Sequence, residues 1–171
     1  MISWDRPPTG WVCLNTDGSV VLAQKSTAAG GVLRGCDGRF IKAFAANLGG
    51  GSITHAELGG IAYGLRVAWE EGLRKVILQT DSTTATNLLK DADHHNPHYT
   101  LIASIRELLA RDWEIQLVHV FREGNYVADY LASVGHSLPI GVHLVDVPSP
   151  TLRHWLYFDT IGVQTQRTIV N

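Results

Sequence analysis

Between Trp11 and Asn47 the chain carries three β-type runs in succession, and after Gly49-Gly50-Gly51 its hydrophobic period changes. The first run, Trp11 to Val21, has β-formers on both sides of Asp17. The second is Ala28 to Leu33 and the third Arg39 to Asn47. Asp37-Gly38 between the last two is a hairpin signal, because both residues tolerate the positive φ of a tight turn. Such short connections make the three runs antiparallel neighbours. The pattern then becomes helical from about Ser52 to Glu71, with Leu58, Ile61, Ala62, Leu65 and Trp69 recurring at steps of three and four. Gly72 suits the end of that helix.

Lys75 to Thr80 has little polar interruption before Gln79, as a central strand buried on both faces requires. Ser82 to Ala92 reads as a short helix, and His94 to His98 as a loop. Tyr99 to Arg111 is a helix with Leu101, Ile105, Leu108 and Leu109 on one face. Glu114 to Phe121 is a fifth strand, and Asn125 to His136 a further helix. The last two strands are each reached through helices, so they lie parallel to their neighbours. The expected fold class is α/β, with one five-stranded mixed sheet (three antiparallel strands, then two parallel) flanked by helices. Residues 1–10 read as a Pro-containing polar leader, 11–138 as one domain and 139–171 as a C-terminal extension. Trp155, Tyr157 and Phe158 in that extension are expected to pack onto the domain rather than form a partner surface.

Composition narrows the function classes. A chain of 171 residues and 18.7 kDa suits one domain with a sizeable core. Its 14 Lys+Arg against 16 Asp+Glu exclude a global basic excess, so any nucleic-acid binding must be local. Cys13 and Cys36 are too few for a disulfide scaffold and are expected to be reduced packing residues. No signal-peptide pattern and no run of 18 apolar residues occurs, so no membrane partner is expected. The expected setting is intracellular, in nucleus or cytoplasm, and the expected state a monomer.

Four acidic residues stand where an unpaired carboxylate is costly. Asp17 interrupts an apolar strand, Glu57 shares the core-facing side of its helix with Ile61 and Leu65, Asp81 ends the central strand, and Asp129 lies early in the last helix. A shared pair of Mg²⁺ ions would compensate them, since hard cations take oxygen ligands and two can clamp a phosphodiester displacement. Each has a local alternative: a capping box from Thr54 to Glu57, a helix cap at Asp81, a helix-dipole contact at Asp129, a turn at Asp17-Gly18. Those alternatives would all have to hold at once on four different elements.

Four phrases carry these residues: Asn15-Thr-Asp-Gly-Ser19, His55-Ala-Glu-Leu58, Gln79-Thr-Asp-Ser82, and Arg122-Glu-Gly-Asn-Tyr-Val-Ala-Asp-Tyr-Leu-Ala132. In order and spacing they resemble the four motifs of type 1 ribonuclease H, over roughly Trp11 to His136. Trp4 and Pro7, with the Arg-Glu-Gly-Asn phrase, look most like the plant ribonuclease H-like domains related to non-LTR retrotransposons. The resemblance implies that Asp17, Glu57, Asp81 and Asp129 ligate two Mg²⁺ ions (Mn²⁺ substituting) and that the RNA strand of an RNA/DNA hybrid is cut. It also implies substrate contacts at Gly18, Ser19, Thr54 and Ser82, and a tethered reverse transcriptase as a partner in a polyprotein. A catalytically weak or inactive nucleic-acid-binding or interaction module with the same fold is the alternative.

Two departures from the family pattern bear on catalysis. The family's mobile His before the last Asp has two counterparts here: His119, ten residues before Asp129, and Arg122, seven before it. His119 lies inside a strand, where a hydrogen-bonded structural role is expected, so Arg122 is the favoured residue for assisting turnover and His119→Ala is expected mainly to cost stability. The region of the family's basic protrusion reads Asp91-Ala-Asp-His-His95, which is not basic. His94, His95 and His98 lack a fourth ligand at zinc spacing and read as a solvated loop. Hybrid binding is accordingly expected to be modest and salt-sensitive. Gly49-Gly50-Gly51 is a connector, because no Gly-Lys-Ser/Thr follows. Trp69 and Trp113 are expected in the core.

Overall fold

The computed structural model describes residues 1–162. The strands are β1 (Val12–Val21), β2 (Ser26–Arg34), β3 (Phe40–Gly49), β4 (Lys75–Thr80), β5 (Glu114–His119) and β6 (Gly141–Val145). They form one sheet in the order β5-β4-β1-β2-β3-β6. The helices are α1 (Ile53–Glu70), α2 (Thr83–Asp91), α3 (Tyr99–Leu109), α4 (Tyr126–Gly135) and α5 (Pro150–Thr160). β1, β2 and β3 pair antiparallel, whereas β4 pairs parallel with β1 and β5 with β4, as the helical crossovers require.

The sheet has six strands where the sequence pattern gives five. β6 joins the free edge of β3 antiparallel, through pairs from Ala43 with Val145 to Ala46 with Val142. It has only five residues, includes His143 and leaves Leu144 52% exposed, so alternation had little to register. β5 stops at His119 rather than Phe121, because the chain turns into a single 3₁₀ turn at Arg122–Gly124.

The sheet separates two cores. On one face Leu14, Leu33, Phe44, Leu78 and α1 residues Leu58, Ile61 and Leu65 pack with Ile102 and Ile105 of α3. On the other, Val32 and Ala43 meet Val127 and Leu131 of α4 and Leu152 and Leu156 of α5. The C-terminal extension thus packs onto the domain, with Trp155 against the second core, although Tyr157 stays 61% exposed. The first ten residues also take part: Trp4 is buried, with its ring centre 3.7 Å from the Arg34 guanidinium carbon. Trp69 and Trp113 are half-buried rather than central, edge to face at 5.2 Å, with Arg74 over Trp69. Cys13 is buried and Cys36 partly so, and both are free thiols. No helix among the described residues is long and apolar enough to cross a membrane.

Candidate active site

Strand register builds the site. Thr16 of β1 lies opposite Thr80 of β4, so Asp17 and Asp81 follow side by side where β4 ends. α1 crosses this point with Glu57 in its second turn. It comes this close because residue 18 is glycine: a Cβ there would lie 2.5 Å from the Glu57 backbone nitrogen. The Gly18 N–H instead donates to Glu57 Oε2 at 3.1 Å. On the opposite face of the sheet, α4 brings Asp129 in from its first turn. Carboxylate oxygens of Asp17, Glu57 and Asp81 all lie within 4.8 Å of one another. Asp17, Glu57, Asp81, Asp129 and Arg122 line one cleft with Gly18, Ser19, Val20 and Ile53.

The local explanations fail for three of these four carboxylates. The cap of α1 is Ser52, whose hydroxyl accepts from the His55 N–H, so Glu57 is not spent on a capping box. The cap of α2 is Ser82, which accepts from the Ala85 N–H and leaves Asp81 free. Asp17 sits within a paired strand, not in a turn. Only Asp129 keeps its alternative, standing near the positive end of α4.

Burial and crowding raise the proton affinity of Asp17, Glu57 and Asp81. Burial, reinforced by Glu57, Asp81 and Asp129, pushes the Asp17 carboxyl up to about 10. Burial and then Asp81 push Glu57 up to about 8. Asp81 is also raised, chiefly by burial, with Arg122 opposing. These residues would hold a divalent cation: every donor is a hard oxygen, and the ionised cluster needs positive charge. Among the described residues lining the cleft, Arg122 is the one cation, and it is 70% exposed with Nη2 3.8 Å from Asp129 Oδ1.

The other expected site residues divide. Gly18 and Ser19 line the cleft, while Thr54 and Ser82 do not. The Ser82 hydroxyl is occupied as a cap. His119 is exposed on the edge strand, its Nε2 3.3 Å from the Asp81 carbonyl oxygen, beside the cleft rather than in it. The sequence reading missed His136, which bridges Ser19 Oγ at 2.9 Å and Ser26 Oγ at 2.7 Å. It also missed a buried amide cluster: Asn15 Nδ2 donates to Gln79 Oε1 at 2.8 Å and to Asn125 Oδ1 at 3.0 Å. A signal for that cluster was present. Asn15 and Gln79 each precede a site Asp by two residues in a strand, and Asn125 precedes Asp129 by four, spacings that share one face.

Known proteins are similar in sequence and in fold. The model of the reverse transcriptase-like family matches residues 15–135. An Arabidopsis thaliana protein named as a ribonuclease H protein is 39% identical over 171 residues, which covers 99% of this chain. This chain spans 27% of that relative's length. The crystal structure of RNase H1 from the halophilic archaeon Halobacterium salinarum matches with a TM-score of 0.68 and 27% identity, over 73% of this chain and 96% of that one. LC11-RNase H1, solved in complex with an RNA/DNA hybrid, matches with a TM-score of 0.67 and 19% identity, over 74% of this chain and 96% of that one. The chain therefore belongs to the reverse transcriptase-like family and carries a domain of the type 1 ribonuclease H kind.

Proposed function

We propose that this domain is a metal-dependent endonuclease that cuts the RNA strand of RNA/DNA hybrids, leaving 5′-phosphate and 3′-hydroxyl ends. The observation that carries the reading is the convergence of Asp17, Glu57 and Asp81 within 4.8 Å, with Asp129 in the same cleft. The family and the ribonuclease H neighbours support it. Asp17, Glu57, Asp81 and Asp129 would hold two Mg²⁺ ions, with Mn²⁺ able to substitute. A bound divalent ion of this kind supplies Lewis acidity and a water acidic enough to ionise near neutral pH.

The chain's own residues prepare the site. The Gly18 N–H fixes one Glu57 oxygen. His136 holds the Ser19 hydroxyl at the cleft wall, where it meets a substrate backbone. Arg122, exposed at the cleft, binds a phosphate oxygen and stays protonated, so it acts as a clamp and not as a base. Discrimination of RNA from DNA rests on the 2′-hydroxyl. The matched relative is several times longer, and a reverse transcriptase tethered in the same polyprotein fits the modest affinity expected of a domain with few basic residues.

The test compares cleavage of an RNA/DNA hybrid, duplex RNA, duplex DNA and single strands, each with Mg²⁺ and with Mn²⁺. Cutting confined to the RNA of the hybrid is the expected result. Cutting of duplex DNA would place the domain among other nucleases of this fold, and binding without cutting by folded protein would make it an interaction module.

A further inference from the structure

Beneath the carboxylates the amide cluster ends on a buried cation. Arg34 of β2 is 1% exposed, and its Nη2 donates to Asn15 Oδ1 at 2.8 Å. Its Nη1 donates at 2.7 Å to Asp159 Oδ2, on the last turn of α5 in the C-terminal extension. Trp4 stacks on the guanidinium at 3.7 Å, and Arg34 Nε has no hydrogen-bond partner among the described residues. Burial pushes Arg34 down and Asp159 up, with each partner opposing the shift of the other. Asp159 is thus the counter-charge that keeps a cation at this depth.

That cation fixes which way the amides point. An Asn side chain can present either its oxygen or its NH₂. A guanidinium can only donate, so Asn15 must turn Oδ1 toward Arg34, and the Cys13 thiol donates to the same oxygen at 3.2 Å. Nδ2 of Asn15 is then committed to Gln79 and Asn125. Because Asn125 Oδ1 accepts there, its Nδ2 is left to donate to the Thr16 carbonyl at 3.0 Å. Thr16 is the residue before Asp17, Gln79 lies two before Asp81, and Asn125 four before Asp129. One directed chain of hydrogen bonds thus reaches the backbones that carry three of the four carboxylates.

We infer that Arg34, anchored by Asp159 of the C-terminal helix, is a positioning residue that sets the spacing of the Asp17, Asp81 and Asp129 carboxylates through Asn15 and Asn125. The inference rests on the reading of that cluster as a divalent-cation site, and it makes α5 part of the site's support.

The experiment measures Mn²⁺ affinity by calorimetry or paramagnetic resonance on the full 171-residue chain, with melting temperature and hybrid kinetics alongside. Wild type, Asp159→Ala and the double variant Arg34→Met with Asp159→Leu are compared. The double variant removes both charges together, so it strands no buried ion and keeps the fold even where Asp159→Ala does not. Yet it removes the guanidinium that directs Asn15 and leaves Oδ1 to the weak Cys13 thiol donor. Partners that orient metal ligands are worth 10–100-fold in affinity, so Mn²⁺ binding in the folded double variant is expected to weaken by about tenfold or more, with kcat falling and KM for hybrid unchanged. A folded double variant with wild-type Mn²⁺ affinity and kcat would overturn the inference. Wild-type cleavage tests the proposed function separately, since Mn²⁺ affinity is read whether or not the protein cuts hybrid.

Discussion

Asp17 and Glu57 show how far single residues depart from their solution behaviour. Both are nearly buried, at 5% and 8% exposure, and each faces other acids rather than bases. Such a cluster stores unfavourable energy in the folded chain. Neutralising one member, as in Asp17→Asn, is expected to raise the melting temperature of metal-free protein while cutting hybrid cleavage about a thousandfold, a barrier increase of roughly 4 kcal/mol. Denaturant titration and cleavage assays on one preparation check both signs. Arg122→Ala is expected to slow turnover about tenfold with stability changed by less than about 0.5 kcal/mol, as for an exposed side chain. The exposure of His119 removes the expected stability cost of His119→Ala, which should also stay within about 0.5 kcal/mol. Steady-state kinetics with slow turnover in His119→Ala and not in Arg122→Ala would reverse the assignment. At this scale the four carboxylates were legible, because an acid on a core-facing position breaks the hydrophobic pattern. The pairing of Arg34 with Asp159 was not, since a partner 125 positions away leaves no local mark.

Elements meet here at glycines. A Cβ at Gly30 of β2 would sit inside van der Waals contact of the Ala132 backbone nitrogen of α4, so the helix that carries Asp129 can lie on the sheet only over a glycine. Gly30→Ala is expected to cost about 1–3 kcal/mol of stability through overpacking and to weaken Mn²⁺ binding by displacing Asp129. Denaturant midpoints and metal titration check it, and wild-type behaviour in both would contradict the packing argument. The order of strands and helices was readable from the change of period at Gly49–Gly51 and the hairpin at Asp37-Gly38. β6 was not, because a five-residue edge strand is defined by its pairing with β3 rather than by its own pattern. The capping box from Thr54, the local alternative for Glu57, did not form, because Ser52 caps α1 two residues earlier and only the backbone distinguishes two suitable cap residues.

The whole molecule couples folding to protons and, through the proposed metal site, to divalent cations. In the unfolded chain Asp17 and Glu57 return to ordinary values of 3.8 and 4.5. Between those values and the folded ones, about 10 and about 8, the folded state holds protons that the unfolded state releases. Stability then falls as pH rises, because the unfolded state binds fewer protons. Metal-free protein is therefore expected to melt progressively lower from about pH 5 upward, where these two groups are ionised in the unfolded chain but still protonated in the folded one, and Mg²⁺ should restore the loss most at high pH, with proton release on binding. Thermal melts at several pH values, with and without Mg²⁺, check the direction; a melting temperature that climbs through this range without metal would contradict it. The composition, with 14 basic against 16 acidic residues, gave the absence of a strong nucleic-acid signature but not where the basic residues lie.

The most direct measurement is cleavage of an end-labelled RNA/DNA hybrid with Mg²⁺ by the wild type and by Asp81→Asn. The account predicts cutting of the RNA strand by the wild type and its loss in a folded Asp81→Asn variant. A wild type that is folded yet inert with both Mg²⁺ and Mn²⁺, or an Asp81→Asn variant that cuts as well as the wild type, would contradict it.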